Sequence, residues 1–199
     1  MIKYAAVKYF VVITVLITLC ACQHSPRKEY FALNAAIAEK NDNQNSTSVE
    51  KVVGIGPLSI PEYLQHSRIS YWKTPLQLSL LENQYWAEPL EQGISRVLRL
   101  HVQAAHPQWR VVQFPWRSNQ RPAYSIRVDI QRLDAFRDHA VLEAGIDTID
   151  TQTNKIIASK QFSARVDSSS NSADIARAYS ELLQQLANDI NKMPSLASK

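Results

Sequence analysis

Histidines are the first residues in this sequence that could do chemistry, because imidazole nitrogens bind transition metals and exchange protons near neutral pH. The chain has five of them, at His24, His66, His101, His106 and His139. Only His101 and His106 lie close together, and an i, i+5 spacing does not place two ligands on one helix face. We therefore expect these histidines at the surface or at helix ends, and we predict no metal site.

Other catalytic patterns do not occur either. There is no Gly-x-Ser-x-Gly motif, and the chain contains only four glycines. Gly54-Ile55-Gly56 lacks the third glycine of a phosphate-binding loop and runs into Pro57, so a strand bend or bulge is expected there. Asp147 and Asp150 lie near an expected turn, where two carboxylates could bind a cation or could simply be solvated. The sequence therefore predicts a protein that is not an enzyme and has no cofactor.

The first residues have the pattern of a secretory signal. Lys3 and Lys8 precede an almost wholly apolar run over residues 9–19. This run is too short to cross a hydrocarbon core of roughly 30 Å as a helix, but it suits the apolar region of a signal peptide.

The cysteines stand at the end of this segment, in the sequence Leu19-Cys20-Ala21-Cys22. This sequence resembles the lipobox of bacterial lipoproteins. The resemblance implies cleavage between Ala21 and Cys22, a diacylglycerol on the sulfur of Cys22 and an acyl chain on its amine. Cys20 could be modified instead, but Leu19 would then stand where a small residue is needed. The segment could also be a plain signal peptide or an uncleaved anchor.

The residue after Cys22 is Gln23. In Gram-negative lipoproteins generally, an aspartate at this position retains the protein in the inner membrane, so Gln23 favours the outer membrane with the folded part in the periplasm. Residues 1–21 would be the signal peptide, 22–29 a lipidated tether, 30–192 a single periplasmic domain and 193–199 a C-terminal tail.

The charge of the chain excludes one class of partner. The net charge is +4, and loss of Lys3 and Lys8 with the signal would halve it. No dense Lys/Arg cluster is present, so nucleic acid is not an expected partner. Cys22 would be the only remaining cysteine, so the domain would have no disulfide even though the periplasm permits one.

Hydrophobic periodicity predicts the elements of the domain. Helical spacing predicts one helix that starts near Glu88-Pro89 and stops at His106-Pro107, and a second that follows residues 168–172 and extends to Ile190. Alternation predicts an antiparallel meander over residues 124–131, 142–147 and 156–166, with a turn at 150–154. Shorter strands are expected at residues 30–33, 52–60, 69–72, 76–81 and 109–116, and a flexible polar loop at 39–50. The fold class is α+β, an antiparallel-rich sheet with two main helices packed on one face.

Aromatic residues are concentrated in the first two thirds of the chain. Tyr71-Trp72, Tyr85-Trp86, Trp109 and Trp116 could fill the core, or they could form a partner interface, where Trp and Tyr are enriched. The candidate partner interface comprises Tyr63, Leu64, Tyr71, Trp72, Tyr85 and Trp86.

Several short motifs follow one another in a particular order. They are Tyr30-Phe31-Ala32-Leu33, then Val53-Gly54-Ile55-Gly56-Pro57-Leu58 with Ile60-Pro61-Glu62-Tyr63-Leu64, then Trp86-Ala87-Glu88-Pro89-Leu90, and last the helix from Tyr179 to Ile190. In order and spacing they resemble the PqiC-type auxiliary lipoproteins of ABC transport systems, which accompany MCE-domain lipid-transport machines. In that family an arginine often follows soon after the Tyr-Leu pair, whereas here Arg68 comes only after Gln65-His66-Ser67. The polar loop at 39–50 is also long.

The resemblance implies a role without catalysis. The lipoprotein would sit on the inner leaflet of the outer membrane and receive the tip of a periplasm-spanning, PqiB-like MCE-domain protein. It would be a homo-oligomer, with a ring as one arrangement, and lipid would pass between the membranes through the assembly. Two further functions compete with this one: a lipid carrier with a cavity between sheet and helices, and an envelope enzyme acting on peptidoglycan.

Overall fold

The structure, a computed structural model, describes residues 26–35 and 51–193. Two helices are present in these ranges, α1 (Leu90–Ala105) and α2 (Ser172–Asn191). The eight strands are β1 (Glu29–Phe31), β2 (Lys51–Ser59), β3 (Arg68–Thr74), β4 (Gln77–Trp86), β5 (Trp109–Gln113), β6 (Tyr124–Ala135), β7 (His139–Asp150) and β8 (Lys155–Asp167). The signal sequence, both cysteines, His24 and the polar loop at 39–50 lie outside the described residues.

The strands form two sheets. One has the order β1-β4-β3 and the other β5-β2-β6-β7-β8. The meander β6-β7-β8 is antiparallel, as the alternation predicted, and so is the β3-β4 hairpin. Strand β2 instead pairs in parallel with both β5 and β6, and β1 pairs in parallel with β4. The α+β class is confirmed, while the division into two sheets is a feature that the sequence pattern did not predict.

The core lies between the five-stranded sheet and the two helices. Helix α1 packs against β2 and β5, helix α2 packs against β7 and β8, and the helices contact each other. Alternate residues of β6, among them Ile126 and Val128, are fully buried, as are Leu98 of α1 and Leu182 of α2. Each such side chain contributes roughly 1.5–3 kcal/mol through burial, so the expected apolar stripes hold the helices on the sheet.

The helix ends follow the expected signals. Pro89 is the N-cap of α1, which ends next to His106. Helix α2 is capped by Asn171, whose side-chain oxygen accepts hydrogen bonds from the backbone amides of Ala173 at 2.8 Å and Asp174 at 3.4 Å. Such a cap stabilises a helix by about 1 kcal/mol.

Strand β8 differs from the expected pattern at its start. Ile156 belongs to the apolar set of the alternation, yet it is exposed, as is its neighbour Ile157. Strand β8 is the edge of its sheet, and only its later part is covered by α2, where Val166 is buried and Lys160 pairs with Asp189 at 2.7 Å. The alternation identifies a strand, but cover by a helix decides which of its residues are buried.

Candidate interaction surface

The Gly54-Ile55-Gly56-Pro57 segment forms an irregularity in β2. The β2–β6 ladder shifts register between Ile55 and Leu58, which confirms the expected strand bulge. Gly56 has a φ of 116°, a conformation that side chains with a Cβ rarely adopt. A glycine is therefore required at this point. The bulge bends β2 where it lies next to the chain that follows β5.

Both glycines of this segment make room for aromatic rings. A Cβ atom at Gly54 would lie 2.7 Å from Trp116 and 2.8 Å from Pro122, and one at Gly56 would lie 2.6 Å from the Cβ of Phe114. The backbone amide of Phe114 donates to the Ile55 carbonyl at 2.9 Å. The two glycines thus allow the segment after β5 to pack directly on the backbone of β2.

The result is an exposed aromatic corner, formed by Pro57, Phe114, Pro115 and Trp116. The rings of Phe114 and Trp116 meet edge to face with centroids 5.1 Å apart. Phe114 is 47% exposed although it is large and apolar. Surface clefts of about 480 Å³ and 400 Å³ lie against it. Rigidly held, exposed aromatic rings are typical of protein-binding surfaces.

The residues predicted as a partner interface divide into two groups. Leu64 (3% exposed) and Trp86 (7% exposed) are core residues, so neither is available to a partner in this conformation. Trp86 stacks on Tyr179 with ring centroids 5.9 Å apart, and the Tyr179 hydroxyl donates to the Leu133 carbonyl at 3.0 Å. For Trp86 the interpretation as a core-filling aromatic residue is therefore correct.

The other four predicted residues are half-buried around the three-stranded sheet. The Tyr63 hydroxyl donates to Asp134 at 2.8 Å, and its ring meets that of Trp72 edge to face at 5.8 Å. Burial and the Asp134 carboxylate raise the pKa of Tyr63 well above its ordinary value. Tyr71 packs on the edge of the core, and Tyr85 lies beside Tyr30 with ring centroids 5.7 Å apart.

The Trp86-Ala87-Glu88-Pro89-Leu90 motif has a structural role. The Glu88 carboxylate accepts hydrogen bonds from the guanidinium of Arg96, with the closest contact at 2.5 Å. The same guanidinium donates to the Leu33 carbonyl at 2.8 Å. The motif therefore ties the start of α1 to the chain after β1.

The described histidines have no shared site. His106 lies at the end of α1, as expected, and stacks on Trp109 with centroids 3.6 Å apart. His101 is buried on the inner side of α1, so the expectation of a surface or helix-end position is wrong for this residue. Within residues 26–35 and 51–193, no group of three or more His, Cys, Asp or Glu side chains could hold a metal ion. Asp150 instead accepts hydrogen bonds from the backbone amides of Gln152 and Thr153.

The buried histidine predicts a pH-dependent stability. Burial lowers the pKa of His101 below its ordinary value of 6.5. The unfolded chain then binds a proton that the folded chain does not, so the free energy of unfolding falls as the pH drops through about 6.5. We expect a lower melting temperature at about pH 5 than at about pH 7.5, and a smaller difference in His101→Leu. Gln92→Leu, on the exposed face of the same helix, is the control, and an unchanged difference in His101→Leu would contradict the assignment.

A further cleft of about 630 Å³ lies between the chain after β1 and helix α2. Its lining combines Phe31 and Ala176 with the charged side chains of Arg177 and Glu181. This is a surface cleft with a polar rim rather than the apolar cavity between sheet and helices that a lipid carrier would need.

Neither helix of the described residues is long and apolar enough to cross a membrane.

Comparison with known proteins identifies the family. The family model of the ABC-type transport auxiliary lipoprotein component matches residues 31–191. The crystal structure of an uncharacterized protein shares the fold with a TM-score of 0.67 at 16% identity, over 84% of this chain and 98% of its own. Protein XCC0632 from Xanthomonas campestris does so with a TM-score of 0.62 at 18% identity, over 82% of this chain and 92% of its own. No curated protein matches this chain in sequence at a significant level. Because the family model covers nearly all of the folded domain, the resemblance to PqiC-type proteins is confirmed, and the chain belongs to the ABC-type transport auxiliary lipoprotein components.

Proposed function

We propose that this chain is a non-catalytic subunit of an intermembrane lipid transport system. Lipid on Cys22 holds it at the periplasmic face of the outer membrane, where the domain docks a periplasm-spanning, PqiB-like MCE-domain protein and so contributes to envelope integrity. The observation that carries the proposal is the family match over residues 31–191. A homo-oligomer, arranged as a ring, is the form in which a tube-shaped partner would be received.

The positions of the titratable residues support a role in binding. His106 stacks on Trp109, and His139 stacks on Phe136 and pairs with the exposed carboxylate of Asp138. Asp134 is occupied by hydrogen bonds from Tyr63 and Arg132. Asp147 accepts a hydrogen bond from Ser159 at 2.5 Å. An active site needs a nucleophile or base with an orienting partner in a cleft, and these side chains serve the fold instead.

The aromatic corner is the surface that we assign to docking. Phe114 and Trp116 pack on the Gly54–Pro57 bulge, which is one of the motifs that carry the resemblance to PqiC-type proteins. Aromatic anchors on a rigid frame lose little conformational entropy on binding, and a few of them carry most of the binding energy of an interface. Arg121 and Arg127 line the adjoining cleft and add a positive rim.

Copurification tests this assignment. The tagged full-length lipoprotein, extracted from native membranes in mild detergent, is expected to carry the MCE-domain protein with it. Phe114→Asp places a charge on the corner, and we expect it to lower the recovered partner at least about tenfold, equivalent to about 1.4 kcal/mol. Leu80→Asp is the matched control, since Leu80 is 41% exposed on β4 of the other sheet and lines neither cleft at the corner.

The outcomes separate the parts of the proposal. Absence of the partner from the wild-type sample, also after crosslinking, would count against docking altogether. Equal loss in both variants, or in neither, would place docking on another surface. Stoichiometric phospholipid in the purified lipoprotein, with no MCE-domain partner, would favour a lipid carrier instead.

A further inference from the structure

The β3–β4 hairpin ends in an exposed apolar tip. Thr74 pairs with Gln77, so the connection consists of Pro75 and Leu76. Leu76 is 94% exposed, and Leu80 further along β4 is 41% exposed. The side chain of Leu76 thus presents nearly all of its apolar surface to water, and transfer into an apolar environment would be favourable.

The direction of the strands relates this tip to the lipid anchor. Strand β1 runs parallel to β4, with Glu29 opposite Gln84. From Glu29 toward the N-terminus, the chain is therefore aimed along β4 toward Gln77, which is the tip of the hairpin. The chain therefore enters β1 from the end of the three-stranded sheet at which the exposed leucine lies.

The length of the tether allows the lipid on Cys22 and the side chain of Leu76 to contact the same surface. Cys22 precedes Glu29 by seven residues. An extended chain advances about 3.3–3.6 Å per residue, so a fully extended tether reaches roughly 24 Å from Glu29. The hairpin tip lies nearer than that, because β4 bulges between Leu80 and Tyr85, where its ladder with β3 shifts register. A bilayer that holds the acyl chains of Cys22 is thus within reach of Leu76.

The charges around this end suit a lipid surface. Arg27 and Lys28 on the tether and Lys73 beside the tip are exposed, and the nearby carboxylates of Glu29 and Glu82 are exposed as well. Lys28 also lies over the ring of Tyr85, 5.6 Å from its centroid. The net charge of these five side chains is positive, as is usual for segments that approach anionic headgroups.

We infer that the tip of the β3–β4 hairpin is a second membrane contact, in which Leu76 enters the interfacial region of the bilayer that carries the lipid of Cys22. The inference rests on the proposed function, because it requires the anchor. One leucine binds a membrane weakly, but the anchor keeps the tip at a high effective concentration next to the surface. The contact therefore sets the orientation of the domain rather than its membrane affinity.

This orientation would direct the domain into the periplasm. Trp72 of β3 contacts Tyr63, which binds Asp134 near the end of β6. The turn between β7 and β8 lies at the opposite end of the five-stranded sheet from Asp134, because Asp150 pairs with Tyr124 at the start of β6. That turn is therefore the natural reference point away from the membrane.

A fluorescent probe on the full mature lipoprotein tests the inference. Acylation leaves the mature chain without another free thiol, so a single new cysteine is labelled selectively with a nitrobenzoxadiazole dye. Gln77→Cys places the dye beside Leu76, and Gln152→Cys places it on the distant turn. In phosphatidylethanolamine–phosphatidylglycerol vesicles that contain nitroxide lipid, we expect quenching at residue 77 to exceed quenching at residue 152 several-fold. Leu76→Asp in the Gln77→Cys background should reduce it to the level of residue 152.

Flotation with the vesicles separates the possible failures. Protein that floats but shows equal quenching at residues 77 and 152, or quenching unaffected by Leu76→Asp, overturns the hairpin contact and leaves the anchor intact. A chain that does not float overturns both the anchor and the inference. Dye emission at residue 77 that shifts with protein concentration but is not quenched by nitroxide would assign the tip to a second copy of the chain, and would thereby overturn the membrane contact as well.

Discussion

Gly56→Ala is expected to lower the melting temperature of the domain by about 10 °C. Gly56 has a φ of 116°, and an added Cβ would lie 2.6 Å from the Cβ of Phe114. Backbone strain of this kind costs about 1–3 kcal/mol, and overpacking against a neighbour costs a similar amount. A total near 3 kcal/mol corresponds to about 10 °C for a domain of this size.

Gly145→Ala is the matched control for this prediction. Gly145 also lies in a strand, but its φ is not in the positive range and its added Cβ would meet the nearest side-chain atoms at 3.5 Å or more. Alanine in such a position reduces the entropy of the unfolded chain, so stability should be unchanged or higher by up to about 1 kcal/mol. Thermal unfolding followed by circular dichroism measures both variants. Equal melting temperatures for the two would contradict the account of the bulge.

Cys22→Ser is expected to abolish attachment of lipid. Each buried CH₂ of an acyl chain contributes about 0.8 kcal/mol, so three chains make release from a membrane negligible, and their loss removes the anchor. Metabolic labelling with an alkyne-bearing palmitate should fall to background in this variant. The mass of the mature protein should at the same time no longer show cleavage before residue 22.

Cys20→Ser provides the comparison within the same motif. If Cys22 is the modified residue, this variant keeps its palmitate label and its processed mass, because serine at residue 20 leaves Ala21 and Cys22 in place. Loss of label in Cys20→Ser with retention in Cys22→Ser would assign the lipid to the other cysteine. Label in neither wild type nor variants would show that the segment is an ordinary signal peptide or an uncleaved anchor.

Many elements of the fold were predictable because they depend on local patterns. The alternation of apolar and polar residues along 124–131 indicates which side chains share a face of the strand. The spacing of Ile175, Leu182 and Leu186 indicates the apolar face of a helix. The bulge at Gly54-Ile55-Gly56 was also predictable, because glycines followed by a proline interrupt a strand. These features need only neighbouring residues, and the structure confirms them.

Burial of particular side chains was less predictable. Leu64 and Trp86 belong to the candidate partner interface but lie in the core, and His101 is buried on the inner side of α1 rather than at the surface. Ile156 belongs to the apolar set of its strand but is exposed. Periodicity identifies the faces of an element, and which face is covered depends on an element that lies elsewhere in the chain.

The sequence by itself therefore determined the α+β class, the order of the elements, the family motifs and the expectation of a lipid anchor at Cys22. Only the tertiary structure decided that β2 joins β5 and β6 in parallel, and that Phe114 and Trp116 pack over Gly54 and Gly56. The reason is physical. Local periods follow from the geometry of one helix or strand, whereas the aromatic corner depends on contacts between segments far apart in sequence, which hydrophobic patterning does not encode.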